Sequence, residues 1–150
     1  MNRKALLANA LGAILIALLL NGIIFFFHWD QTDSGNLPPW FSPPDWFVGA
    51  VWVVLFAGMG AARWLALRRG ATRPALWVAI LFLVCALYPF YTGGFRLLPG
   101  FIGNLVTVAL AAWVATRLWP HSRPAAALVL CVVLWVSFAT VVVAAELHWL

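Results

Sequence analysis

The feature that most limits what this chain can fold into is a set of five long apolar stretches joined by connectors whose charge alternates in sign. Arg3 and Lys4 precede the first stretch; Arg63, Arg68, Arg69 and Arg73 fall between the second and third; Arg117 and Arg123 fall between the fourth and fifth. The remaining connectors hold Asp30, Asp33, Asp45 and Arg96, and Glu146 closes the last stretch. If each stretch crosses a bilayer, every basic residue except Arg96 shares a side that carries no acidic residue. That is the positive-inside bias of a polytopic membrane protein with a cytoplasmic N-terminus.

Composition excludes several function classes. A soluble domain is about 25% charged, whereas this chain is 9% charged and 65% hydrophobic, with a mean hydropathy of +1.00. A net charge of +5 raises nucleic-acid binding, but such binding needs a continuous basic face and these cations gather at span ends. Cys85 and Cys131 lie inside apolar stretches with no Cys or His at ligand spacing, so they read as buried thiols. His28, His121 and His148 sit at span ends on both sides and cannot converge on one metal. An axial haem ligand is the one metal role left to any of them.

A helix needs about 20 apolar residues to cross ~30 Å of hydrocarbon. This predicts spans near 5–27, 46–67, 75–93, 101–119 and 125–146: an all-α five-helix membrane bundle, one domain over 1–150, with no stretch left for a separate soluble domain. The run 5–27 exceeds the short apolar core of a secretory signal and reads as a retained first helix. The connector 28–45, HWDQTDSGNLPPWFSPPD, is the long one and lies on the outer side. Its proline pairs fix φ and hold off helix until Pro44, which suits the first turn of the second span.

Polar chemistry is sparse within the spans. Asn9, Asn21, Asn104, Thr107, Thr116, Ser137 and Thr140 are the polar side chains there, and hydroxyls in such helices usually bond a carbonyl of their own turn. No ionisable residue sits at mid-span, where proton and ion pathways need one. No Ser-His-Asp, paired-carboxylate or phosphate-loop arrangement can be assembled. Trp29, Trp40, Trp46, Trp119 and Trp149 fall near water interfaces, as anchors do; Trp52, Trp64, Trp77, Trp113 and Trp135 lie deeper, where an indole N–H needs a partner. Gly58 and Ala62 form a small-xxx-small pair, suited to close helix approach within the bundle or across a homodimer. Pro89 predicts a kink near Tyr88–Phe90, and Gly93, Gly94 and Pro99 an outer turn.

The stretch PPWFSPPDWFVGAVWVVLFAGMGAARW resembles the first-loop and second-helix signature of the TspO/MBR family, the tryptophan-rich sensory proteins related to the mitochondrial translocator protein. Phe41, Pro43, Pro44, Trp52, Phe56, Met59, Ala61 and Ala62 carry the match. ALYPFYTGG is similar to the end of the family's third helix, and LWVSFATVVVAAELHWL to its fifth, so the resemblance covers nearly the whole chain. It implies a five-helix, often dimeric bundle with a pocket under the first loop for porphyrins, other tetrapyrroles, sterols or synthetic aromatic ligands. Trp52, Trp135 and Ala139 then correspond to pocket residues, with Phe41, Phe56, Val84, Leu87 and Trp40 around them.

The family's polar pocket contacts are largely replaced. Its helix-three Asn aligns with Val84 and the following Trp with Leu87; a Pro-Tyr pair aligns with Cys131 and Val132, and a Leu-Asn pair with Val142 and Val143. A ligand would therefore be gripped by shape and stacking. The resemblance implies no required cofactor, though porphyrin or haem fits its ligand class. The cytoplasmic N-terminus and the arginine-rich inner connectors point to a multi-pass protein of a prokaryotic inner membrane, while members of the family also occupy mitochondrial and bacterial outer membranes. Four functions follow: a binding protein or sensor for a hydrophobic aromatic ligand; a small transporter of lipids or pigments, which would need broken helices and internal repeats; an enzyme degrading porphyrin; or a structural bundle in a larger complex.

Overall fold

The computed structural model describes residues 3–29, 39–92 and 96–149. Asp30, Asp33 and the rest of residues 30–38, with Gly93 and Gly94, lie outside the described residues. Five helices form: α1 (Arg3–Phe26), α2 (Asp45–Arg68), α3 (Thr72–Tyr91), α4 (Leu97–Leu118) and α5 (Arg123–Glu146). All five are long and apolar enough to cross a membrane, and no strand occurs among the described residues. This is the all-α five-helix architecture expected.

The ends differ from the sequence expectation where proline is involved. α4 begins at Leu97 rather than 101, and α3 at Thr72 rather than 75, so Pro99 and Pro74 fall in first turns. Proline is tolerated there because the N–H it lacks has no helical acceptor. Pro44 is the N-cap of α2, with φ −67° and ψ 149°, rather than a first-turn residue. Pro89 does not end α3, which continues to Tyr91.

Three helix ends share one device. After α2, Gly70 takes φ +70° while its N–H reaches Leu67 O and the Ala71 N–H reaches Ala66 O. After α1, His28 at φ +53° does the same, with Trp29 N–H on Ile24 O; after α5, His148 at φ +57° does so with Trp149 N–H on Ala144 O. These are Schellman caps, which satisfy carbonyls otherwise orphaned at a helix C-terminus. Glycine adopts the left-handed residue freely and histidine at a cost. The two His-Trp pairs fold each tryptophan back against the bundle: Trp29 against Phe27 and Phe90, and Trp149 against Phe101.

Packing is inverted relative to a soluble protein. The core is rich in small residues, with Ala17, Ala62, Ala66, Ala75, Ala111, Ala125 and Ala126 buried, while Leu19, Phe26, Val54, Leu76, Leu134 and other large apolar residues face outward. Small interfaces let backbones approach, which is how helices associate once lipid removes the hydrophobic drive between them. The helices pack in the order α1–α2–α5–α4–α3, and α2 also packs against α3. α1 and α3 touch only lightly, leaving a seam.

Gly58, Gly60 and Ala62 of α2 pack within the bundle. A Cβ on Gly60 would sit 2.7 Å from the Asn9 carbonyl oxygen of α1, while Gly58 faces Leu128 of α5 and Ala62 is buried. Asn9 and Asn21 tie α1 to α2. Arg63 Nη1 donates to Asn9 Oδ1 at 2.8 Å, and Asn21 Nδ2 donates to Gly49 O at 3.1 Å. The Thr107, Thr116 and Thr140 hydroxyls each bond a carbonyl of their own helix, as expected. Cys85 is buried, but Cys131 is exposed, a departure from the sequence reading. On a lipid-facing helix the apolar exterior accommodates a thiol as well as the core does.

Candidate ligand cavity

A cavity of about 170 Å³ opens between α1, α2 and α3, in the half of the bundle where α1 ends and α2 begins. Its position follows from the packing order, because α1 leans on α2 and scarcely meets α3. α1 contributes Ala17, Leu20, Asn21 and Ile24; α2 contributes Val48, Gly49, Trp52 and Phe56; α3 contributes Cys85, Tyr88 and Pro89. Trp29, turned back by the His28 cap, lies at the loop end of the cavity and meets Phe90 edge-on at 5.7 Å, bridging the end of α1 to α3.

The walls are aromatic and aliphatic. Trp52 and Phe56, one turn apart on α2, pack edge to face at 5.8 Å, and Phe56 continues to Phe82 at 4.6 Å. The polar groups are few: Asn21, held to Gly49 O; Tyr88, whose Oη donates to Gly100 O at 3.0 Å; and Asp45 at the loop end. The chemistry offered is apolar enclosure with one carboxylate near the mouth. Among the described residues no three His, Cys, Asp or Glu side chains gather.

Of the residues singled out from sequence, Trp52 and Phe56 line this cavity together. Trp135 lies elsewhere, half-buried on α5 against Phe47 at 6.2 Å and Phe138 at 5.7 Å. Ala139, one turn beyond it on α5, is partly covered and also outside the cavity lining. Val84 and Leu87 are on α3 but not among the lining residues, Leu87 being 46% exposed. Trp40 is 95% exposed, and Phe41 packs edge-on against it at 5.6 Å.

Sequence reasoning missed Asn21, Trp29, Asp45, Cys85 and Tyr88 as cavity residues. The available signal was position: Asn21 is one of few polar residues within a span, and the Tyr88-Pro89 pair puts a hydroxyl and a helix-breaking residue side by side in an otherwise apolar stretch. Of the deep indoles, Trp64 is 6% exposed and its Nε1 has no partner among the described residues, though the Arg68 guanidinium lies 4.8 Å over its ring.

Five helices, each long and apolar enough to cross a membrane, define an integral, multi-pass membrane protein. Residues 13–150 match the TspO/MBR family model, and the chain belongs to that family. No curated protein matches it.

Proposed function

We propose that this protein is an inner-membrane binding protein of a prokaryote, acting as a sensor for a hydrophobic aromatic ligand, tetrapyrrole or sterol-like, that enters the α1–α2–α3 cavity from the loop end. The observation that carries the reading is the apolar cavity walled by Trp52 and Phe56 with a lightly packed α1–α3 seam beside it. Pockets for small molecules are typically concave and apolar with a few polar groups that orient the ligand. An apolar cavity of ~150 Å³ holds a single benzene ring. At about 170 Å³ this one takes one ring or one edge of a larger flat ligand, and a tetrapyrrole must part the α1–α3 seam to enter. Asp45 near the mouth disfavours ligand carboxylates there and favours a donor such as a hydroxyl.

The test is titration of purified protein with protoporphyrin IX, its dimethyl ester and a sterol, followed by tryptophan emission. Saturable quenching is expected, tighter for the diester than for the diacid. Trp52→Leu should weaken binding up to about tenfold, the range of an aromatic pair interaction, while Trp135→Leu leaves it unchanged. Equal losses in the two variants would move the site to α5, and quenching that never saturates would remove the binding function.

A further inference from the structure

At the opposite end of the bundle lies a second concavity, an open cleft of about 430 Å³ between the start of α3 and the end of α4. It is lined by Arg73 and Trp77 of α3, by Trp113, Thr116 and Arg117 of α4, and by His121 in the turn that follows, with Pro74 and Pro120 at its edges. Trp77 and Trp113 meet at right angles with centroids 4.6 Å apart, and the Arg117 guanidinium lies 5.2 Å over the Trp113 ring.

The electrostatics of this cleft are one-signed. Asp45 opens α2 and Glu146 closes α5, so the described carboxylates stand at the far end of the bundle. Asp30 and Asp33 fall in sequence between α1 and α2, in the connector that joins those same far ends. The N-terminus of α3 and the C-terminus of α4 lie side by side, and their opposed dipoles offset one another, leaving Arg73 and Arg117 as the charge. Stacking on Trp113 orients Arg117 while its N–H edge stays free for a bidentate oxyanion. Thr116 donates its hydroxyl to Trp113 O, so the arginines and the His121 ring are the donors on offer.

The surroundings select the kind of anion. Trp77 and Trp113, read from sequence as deep, stand five residues inside the start of α3 and the end of α4, ~8 Å of helix rise, within reach of the interfacial band where tryptophan faces lipid headgroups. Beyond it toward mid-span, α3 turns Leu83 outward and α4 turns Leu105 and Val106 outward. A phosphate at the arginines therefore continues into an apolar wall that suits acyl chains. Basic pockets between spans on the cytoplasmic side are a known mode of anionic headgroup recognition.

We infer that the Arg73–Arg117–His121 cleft is a binding site for the phosphate headgroup of an anionic phospholipid of the surrounding leaflet, with Trp77 and Trp113 against its glycerol and upper acyl region.

The test reconstitutes the full chain in bilayers of phosphatidylcholine with increasing phosphatidylglycerol, using acyl-brominated versions of each lipid to quench tryptophan. Brominated phosphatidylglycerol is expected to associate severalfold more strongly than brominated phosphatidylcholine. Arg73→Gln with Arg117→Gln should remove most of that preference and bring the two lipids to near-equal association. Arg73→Lys with Arg117→Lys should keep most of it, and Arg96→Gln at the other end should leave it intact. Equal association of the two lipids with the unaltered protein overturns the inference without recourse to any variant, as does a preference that survives the double glutamine change. Displacement of the brominated lipid by millimolar inorganic phosphate would reassign the cleft to a soluble anion and overturn the lipid assignment.

Discussion

At the scale of single residues, the stability of the bundle depends on which small side chains touch backbone. Gly58 and Gly60 are two residues apart and look alike in the sequence, yet their surroundings differ. A Cβ at Gly58 meets the Leu128 side chain at 3.7 Å, an ordinary contact, whereas one at Gly60 meets the carbonyl of Asn9 at 2.7 Å. Gly58→Ala should therefore be tolerated in detergent thermal unfolding. Gly60→Ala should cost about 1–3 kcal/mol, because α1 must back away and the Arg63–Asn9 hydrogen bond one turn on is strained with it. Equal melting temperatures for the two variants would mean that α1 does not seat on α2 as described. The capping residues make a second prediction of opposite sign. His148 occupies a left-handed conformation that costs a non-glycine residue roughly 1 kcal/mol, so His148→Gly should raise thermal stability by about that amount. Gly70→Ala, at φ +70°, should lower it comparably.

At the scale of elements, the helices were legible in the sequence and their mutual faces only in part. Length and hydropathy place five spans because a bilayer imposes a minimum apolar run, and every connector but 28–45 is too short to hold another helix of span length. The starts of α3 and α4 were less legible, because proline signals a helix break and a first helical turn equally well. The α3–α4 pairing shows what pattern alone cannot supply. Tyr88 and Tyr91 of α3 fit over Gly100 and Gly103 of α4, where added Cβ atoms would come within 3.0–3.1 Å of the rings or the Tyr88 oxygen. Each residue is ordinary alone, and only the register of two helices joins them. Tyr88→Phe removes the bond to Gly100 O and should cost about 0.6 kcal/mol, the usual size of such a bond between spans. Gly103→Ala should cost more, since a ring and not only a hydrogen bond must shift. A Gly103→Ala protein as stable as Tyr88→Phe would contradict that packing.

At the scale of the whole molecule, the cavity was only half legible for a geometrical reason. The family resemblance grouped Trp52 with Trp135, and α2 and α5 do pack together, yet the contact is made by Phe47. Phe47 and Trp52 are five residues apart, so at about 100° per residue they face about 140° apart around α2. The α5-facing side thus meets Trp135, while Trp52 turns toward α1 and α3. Rotation about the helix axis decides the site, and a sequence specifies it only through packing partners. The charge pattern is far more legible, since it does not depend on rotation. Five spans place the two termini on opposite sides, and the basic end gathers Lys4, Arg68, Arg69, Arg73, Arg117 and Arg123 near the ends of all five helices. The energetic bias against carrying these groups across a membrane predicts that this end is cytoplasmic. With Cys85 and Cys131 replaced by alanine, Trp40→Cys in the connector before α2 and Thr72→Cys at the basic end report the two sides. In right-side-out vesicles a membrane-impermeant maleimide should label position 40 directly and position 72 only after permeabilisation. The reverse pattern would put the cavity mouth in the cytoplasm and the Arg73–Arg117 cleft in the outer leaflet.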